Sequence, residues 1–244
     1  MINLKYWKCA QNNGNFGDEL SPLIVSHFLN PNFTLTHNQK GESMIAVGSY
    51  IHYAESGDTI WGSGVRTNPP QEQDATHDYT DLKVFAVRGH LTKQFLESKG
   101  IKVPEIYGDP ALLLPHIIQY NPIPELSNSI AIVPHCSQID KYSGFRIINP
   151  LDDCKEVVRK IYSSKAIISS SLHGLIVADA YNIPNVWLNG NIDEGDFKFR
   201  DYFTSQGRPC EYINSIEEFD ESKLYRGGNR VDLQKLINSF PYVN

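Results

Sequence analysis

The sequence predicts an α/β protein built from two Rossmann-like units whose parallel sheets face a central cleft. Short apolar runs, typical of buried strands, alternate with helical segments in both halves of the chain. A polar, proline-containing stretch at 120–128 separates the two halves. The chain has 244 residues, 41% of them hydrophobic, which is enough for two units with cores of their own. Ligands of such folds bind at the carboxyl ends of the strands.

The N-terminal unit is predicted to span residues 1–122. Its strands are expected at 3–8, 43–48, 59–61, 83–88 and 104–107. One helix is expected at 20–29, with Ser21 and Pro22 as its cap and first turn. A second helix is expected at 90–99, closed by Gly100.

The C-terminal unit is predicted to span residues 123–244. Its strands are expected at 129–134, 145–148, 165–169 and 185–188, and its helices at 152–164 and 173–181. Ser215 and Glu218 have capping-box spacing for a helix through the early 220s. The amphipathic segment 231–240 could pack back on the N-terminal unit.

Charge and cysteine content argue against several classes of protein. The 22 basic and 28 acidic residues give a formal charge of −6, and without a basic block we expect no nucleic-acid partner. The 4 cysteines form no C-x-x-C pair, so we expect no metal site and no disulfide framework. No apolar signal segment or membrane-spanning run is visible, which favours the cytoplasm.

The strongest candidate site follows the strand at 165–169, where Ser169, Ser170 and Ser171 precede Leu172, His173 and Gly174. Free N–H groups at a helix start favour an anion there. His173 could donate to a phosphate or act as a general acid, and Gly174 would let a ligand approach. Equally, the serines could cap the helix while His173 satisfies a loop carbonyl.

Arg88 is the second candidate, because it stands where a buried strand ends and a helix begins. Its guanidinium could fork onto a carboxylate or phosphate in the cleft, unless it pairs with a surface acid. Arg88 and His173 occupy equivalent positions in the two units. We therefore expect them to share a small, highly charged anion.

Weaker candidates follow three other strands. Gly17 would allow close backbone approach, and Asp18 could serve as a base or as a helix N-cap. Ser63 and Gly64 lie in a glycine turn that lacks the full dinucleotide fingerprint. His135 ends the first strand of the second unit and could face the cleft or solvent.

Asp109 lies between Gly108 and Pro110, where an aspartate is typically a turn former. The sequence therefore gives it no role in the site.

In their order along the chain, the motifs resemble those of polysaccharide pyruvyl transferases. The shared motifs cover most of the chain, from about residue 12 to 190. They are Asn-Phe-Gly-Asp at 15–18, Val-Arg at 87–88 with Leu-Thr at 91–92, Gly-Asp-Pro-Ala-Leu at 108–112, Ser-Leu-His-Gly at 171–174 and Ile-Pro at 183–184. The resemblance implies a fold similar to that of GT-B glycosyltransferases. It also implies transfer of the pyruvyl group of phosphoenolpyruvate onto a sugar as a ketal.

In that family an arginine of the first domain and an Arg-Leu-His triplet of the second hold phosphoenolpyruvate. Arg88 matches the first, and Leu172 and His173 match the end of the triplet. Ser171 replaces the arginine of the triplet, so either another cation compensates or the donor is held differently. Arg146 and Arg200 are conceivable substitutes.

The chemistry that the resemblance implies needs a general acid, for which His173 is our candidate, a clamp for phosphate or carboxylate, which we expect to be Arg88, and a base, for which Asp18 is the first choice and His135 the second. It requires no cofactor beyond phosphoenolpyruvate as donor substrate. The expected acceptor is a sugar of an exopolysaccharide, a capsular polysaccharide or a lipid-linked precursor at the inner face of the membrane. A second subunit of a homo-oligomer could supply acceptor-side loops that this chain lacks.

Two other functions remain open at this point. A nucleotide-sugar glycosyltransferase of GT-B type would also place a diphosphate at a helix N-terminus. A catalytically inactive carbohydrate-pathway partner would explain Ser171 in place of the arginine.

Overall fold

The structure, a computed structural model, describes residues 1–8, 14–67, 81–190 and 195–242, and these ranges contain two parallel sheets. The first sheet has the strand order β2-β1-β3-β4-β5. Its strands are β1 (Ile2–Leu4), β2 (Leu35–His37), β3 (Met44–Ile45), β4 (Thr59–Trp61) and β5 (Lys83–Ala86). The second sheet runs in sequence order through β6 (Ile130–Val133), β7 (Ala166–Ser169), β8 (Asn185–Leu188) and β9 (Tyr212–Ile213).

In the second sheet an α-helix lies between each pair of successive strands, whereas in the described part of the first sheet one α-helix joins the first two strands and another follows the last. They are α1 (Phe16–Phe28), α2 (His90–Ser98), α3 (Leu114–Ile117), α4 (Cys154–Tyr162), α5 (Leu172–Ala180), α6 (Phe197–Gln206) and α7 (Leu233–Asn238). Short 3-10 turns at Ile51–Tyr53 and Pro110–Leu113 adjoin the first sheet. The prediction of an α/β protein with two parallel sheets is confirmed.

The two halves share a continuous hydrophobic cluster, because helices of one half pack on elements of the other. Helix α5 is apolar on nearly all sides and is buried against β7, β8 and the turn Pro110–Leu113. Helix α1 packs on α4, and α2 packs on α6. The GT-B-like arrangement and the division at residue 122 stay predictions.

The last helix packs on the first half of the chain. Trp61 Nε1 donates a hydrogen bond to the carbonyl of Leu236 at 3.1 Å, and its ring lies 4.7 Å from that of Phe240. Lys235 Nζ donates to the carbonyl of Glu105. Helix α7 therefore covers the edge of the core around β4.

The predicted start of the first helix is wrong. Helix α1 begins at Phe16, because the Asn15 side chain accepts the N–H of Gly17 at 3.0 Å and caps the helix there. Pro22 lies inside the helix, and buried Ser21 accepts the N–H of Val47. Asp18 therefore lies in the first turn and is not the cap.

Three other predicted elements are reduced to single turns or bridges. Tyr107 forms one bridge with Val87, and Ile147 forms one with Ile132, in place of the strands expected at 104–107 and 145–148. The Ser215 side chain makes no capping bond, and a 3-10 turn spans Ile216–Glu218 where a helix was predicted.

We predict that Leu236→Ala destabilises the protein, because this side chain is fully buried between α7 and the first half. Removing a buried leucine costs about 2–5 kcal/mol of the free energy of unfolding. Urea unfolding of both proteins measures the change. Gln234→Ala on the exposed side of the same helix is the control, and an equal loss in both variants would contradict the packing described.

Candidate active site

A cavity of about 530 Å³ opens between the two halves at the carboxyl ends of the strands. It is lined from the first half by Trp7, Asn15, Asp18, Ser49, Tyr50, Tyr53 and Arg66, and from the second by His135, Cys136, Ser171, Leu172, His173 and Lys198. Five of the predicted site residues therefore meet at one cavity, namely Asp18, His135, Ser171, Leu172 and His173.

His173 reaches the cavity from the first turn of α5, where its ring packs against the start of α1. A Cβ at Gly17 would lie 2.1 Å from the imidazole Nδ1, so only glycine allows this approach. The Phe16 ring meets the imidazole edge-on at 6.4 Å. Gly17 was predicted to admit a ligand, and the structure corrects this, because the space it leaves is occupied by His173.

The imidazole of His173 is held neutral. Burial, and then the positive charges of Arg88 and Lys198, lower its pKa to about 3. In the described part of the chain, the buried Nε2 atom has no hydrogen-bond partner. His173, the predicted general acid, is therefore uncharged near pH 7 in the ligand-free protein.

Asp109 is a site residue that sequence reasoning missed. It does form the predicted turn, since Oδ1 accepts the N–H of Ala111 at 2.9 Å. Its other oxygen, Oδ2, accepts the N–H of Gly48 at 3.4 Å and lies 3.9 Å from His173 Nε2. Burial raises the pKa of this carboxyl to about 6, against the opposing effects of its hydrogen bond to Ala111 and of the Arg88 charge. Asp109 therefore loses its proton at a higher pH than an ordinary carboxyl, and the neighbouring His173 gains a proton at a lower pH than an ordinary imidazole.

Arg88 does not project into the cavity, which corrects the prediction. The side chain is fully buried, with Nε donating to Asp201 Oδ2 at 2.9 Å. Its Nη1 donates to the cavity-lining Ser49, and Nη2 donates to the carbonyl of Val65. The charge therefore lies behind the cavity wall, because a buried guanidinium needs its partners there.

The glycine turn after β4 supports this arginine. A Cβ at Gly64 would lie 2.2 Å from the Arg88 guanidinium carbon, so Gly64 makes room for an arginine and not for a phosphate. Ser63 is fully buried and donates to the carbonyl of Gly48. Neither residue lines the cavity, which corrects their assignment as ligand contacts.

Several residues of the segment 169–174 hold the protein structure together and do not face the cavity. Ser169 Oγ lies 2.8 Å from the carbonyl oxygen of Val133 in β6 and 2.7 Å from that of Ser171, and its one proton is donated to either of them. Ser170 Oγ accepts the N–H of His135 at 2.9 Å. A Cβ at Gly174 would lie 2.3 Å from Ser169 Oγ, so Gly174 serves helix–strand packing. Ser170 and Gly174 do not line the cavity, whereas Ser171 and Leu172 do.

Two cavity cations, Arg66 and Lys198, were not predicted. Lys198 lies one turn before Asp201 on α6, so both face the first half of the chain. Arg146 and Arg200, proposed as substitutes for the missing arginine, do not line the cavity. Arg146 donates to Ser129 on the surface, and Arg200 pairs with Asp196. The sequence carries no local signal that separates Lys198 from other helix lysines.

The family model of polysaccharide pyruvyl transferases matches residues 15–191, most of the chain, and that range contains the Asp18, Arg88, Asp109 and His173 positions just described. The chain belongs to this family. The resemblance noted from the motifs is thereby confirmed. Trp7 and Lys198 line the cavity from outside the matched range.

Two relatives share parts of the sequence of this pyruvyl transferase family member. The succinoglycan biosynthesis protein ExoV of Rhizobium meliloti (strain 1021) is 26% identical over 215 residues, covering 83% of this chain and 64% of its own. The uncharacterized protein L143 of Acanthamoeba polyphaga mimivirus is 30% identical over 137 residues, covering 50% of this chain and 47% of its own. This chain thus spans less than two thirds of either relative. No solved structure matches it.

Neither a metal cluster nor a membrane helix is found in the described ranges of this family member. No three His, Cys, Asp or Glu side chains gather there as ligands of an ion would. None of the helices in those ranges is long and apolar enough to cross a membrane.

We predict that Asp109→Asn changes how stability depends on pH. Because the folded pKa of Asp109 is raised to about 6, its favourable contribution is complete below the unfolded value and is lost as pH rises through 6. The amide does not ionise, so the variant should gain up to about 3 kcal/mol relative to the wild type between pH 4 and 7. His173 contributes the opposite slope but is present in both proteins.

Urea unfolding at pH 4, 5, 6 and 7 measures this difference. Asp140→Asn, at an exposed carboxyl, is the control. A constant offset between wild type and Asp109→Asn at all four pH values would contradict a raised carboxyl pKa, because lost hydrogen bonds alone do not vary with pH.

Proposed function

We propose that this protein transfers the pyruvyl group of phosphoenolpyruvate to a sugar of a polysaccharide or of its lipid-linked precursor, forming a pyruvate ketal and releasing phosphate. One observation carries the proposal. In a member of the pyruvyl transferase family, a neutral histidine, two cations and the N-terminus of α5 converge on one cavity. That combination suits a small, highly charged anion that must also receive a proton during the reaction.

The donor is expected at the α5 end of the cavity. The backbone N–H groups of a helix N-terminus and its dipole favour an anion. Lys198 and Arg66 line the same cavity, and the buried Arg88 adds positive potential from behind Ser49. Together these groups compensate for Ser171 at the position where the family carries an arginine.

The proton chemistry follows from the His173–Asp109 pair. A bound trianion would raise the pKa of His173, since a nearby negative charge favours the imidazolium. The imidazolium would then give its proton to C3 of the enol, turning the methylene into a methyl group. Asp109 Oδ2, 3.9 Å from Nε2, would stabilise the positive charge of the imidazolium when it is a carboxylate.

Two bonds to the sugar complete the reaction. One sugar hydroxyl oxygen bonds to C2 of the protonated donor and passes its proton to a base. A second hydroxyl oxygen then bonds to C2 as the C2–O bond to phosphate breaks. The proton of this second hydroxyl passes to the leaving phosphate, so the products are the cyclic ketal and hydrogen phosphate. Asp18 lines the cavity and is the first candidate for the base, with His135, on the other half, the second.

The proposal is tested by donor binding and by acceptor-dependent phosphate release, followed by ³¹P NMR. Phosphoenolpyruvate should raise the melting temperature, whereas UDP and GDP should not. Stabilisation by a nucleotide diphosphate alone would favour a nucleotide-sugar glycosyltransferase. Donor binding without phosphate release, across gluco- and galacto-oligosaccharide acceptors, would favour an inactive carbohydrate-pathway partner.

We predict that His173→Gln lowers phosphate release at least about 100-fold, because general acid catalysis contributes roughly that much. Circular dichroism and the melting temperature should show an intact fold. His116→Ala, at an exposed histidine of α3, is the control and should keep wild-type turnover. Near-normal turnover of His173→Gln would remove His173 from the reaction.

We further predict that donor binding takes up a proton near pH 6. His173 is neutral there in the free protein, since its pKa is lowered to about 3, and the bound anion raises that pKa. Isothermal titration in buffers of different ionisation enthalpy measures the protons exchanged. His173→Gln corrects for protons exchanged by the donor itself, and equal uptake by both proteins would contradict protonation at His173.

A further inference from the structure

The first half lines the cavity with three aromatic side chains, Trp7, Tyr50 and Tyr53, called here the aromatic wall. The rings of Tyr50 and Tyr53 stack 4.6 Å apart at an interplanar angle of 25°. Tyr50 directly precedes the 3-10 turn Ile51–Tyr53 and Tyr53 is its last residue, and in such a turn side chains three positions apart eclipse each other. The backbone geometry of this turn therefore produces the stack.

The turn is anchored so that both tyrosines stay at the cavity. Ile51 and His52 are buried between them, and His52 Nε2 lies 2.9 Å from the carbonyl of Thr67. Lys5 Nζ donates to the carbonyl of Tyr53 and pairs with the buried carboxylate of Asp58. A surface held in place before binding loses little entropy when a ligand arrives.

Trp7 adds a second aromatic face that water reaches. Its side chain is 53% exposed, whereas the other two tryptophans of the chain, Trp61 and Trp187, are 0% and 2% exposed. An exposed indole that lines the same cavity as the two tyrosine rings leaves apolar area in contact with water in the free protein. A ligand with an apolar face would remove this area from water, and that burial favours binding.

We propose that the aromatic wall is the acceptor subsite, where a pyranose ring of the acceptor lies with its C–H face on the aromatic rings. This inference rests on the proposed function. A sugar ring combines an apolar face with hydroxyl groups at its edge, and the same cavity supplies Asp18 and Ser49 for those hydroxyls. The cavity of about 530 Å³ also has room for a sugar beside a three-carbon donor.

A sugar fits this wall better than a nucleobase does. Tyr50 and Tyr53 stack on each other, so no slot lies open between their rings for a base. Burial, then Tyr53 and then the Asp18 carboxylate raise the pKa of the Tyr50 phenol, and the same carboxylate would repel a diphosphate there. Hydroxyl groups, by contrast, hydrogen-bond to a carboxylate.

Trp7 provides the readout, because it is the exposed tryptophan of the three. We expect gluco- or galacto-oligosaccharides, added with phosphoenolpyruvate, to protect Trp7 fluorescence saturably from iodide quenching. Trp7→Phe should lose this signal while still binding the saccharide by calorimetry. Trp7→Ala should weaken saccharide binding about tenfold, as the loss of a stacking contact predicts. Its affinity for phosphoenolpyruvate should be unchanged.

The matched control is Phe145→Ala, which removes an aromatic side chain that is 51% exposed and lies outside the cavity lining. Unchanged saccharide binding by Trp7→Ala, or no protection of Trp7 by any of these saccharides, would overturn the subsite. Protection by UDP or GDP instead would overturn the sugar as its occupant. Saccharide protection without any binding of phosphoenolpyruvate would leave the subsite standing and overturn the proposed donor.

Discussion

The buried ion pair of Arg88 and Asp201 is the constraint on which the cavity depends. Both side chains are fully buried, and Asp201 also accepts the N–H and the hydroxyl of Thr92, each at 2.7 Å. An unpaired charge at this place would cost several kcal/mol, so α6 must keep its position against the first half. The helix thereby carries Lys198 to the cavity, while Arg88 holds Ser49 in the opposite wall.

The electrostatics of the free protein prepare the site for an anion. Burial, and then the positive charges of Arg88 and Lys198, keep His173 neutral, and burial keeps the neighbouring Asp109 partly protonated near pH 6. Both pKa shifts result mainly from burial, and the lowered pKa of His173 also reflects the nearby positive charges. Under the proposed function, the negative charge of the bound donor would raise the pKa of His173 again and so favour protonation of the imidazole.

Much of the fold could be predicted because buried parallel strands are continuous apolar runs. The runs around β6, β7 and β8 were found for this reason. The segment at 145–148 was not distinguished from them, since its apolar residues form one bridge at the sheet margin. The start of α1 was misplaced because Ser21 and Pro22 imitate a helix start, whereas Asn15 makes the actual capping bond.

The sequence by itself determined the α/β class, the family and the loop that ends in His173, because local periodicity and short motifs encode these. Only the tertiary structure decided which way Arg88 points, since its partner Asp201 lies 113 residues away. The same holds for Asp109. Its neighbours in the sequence indicate only a turn, whereas the packing of the two halves brings it beside His173. Burial and charge pairing depend on distances through space, and these are set only when both halves pack together.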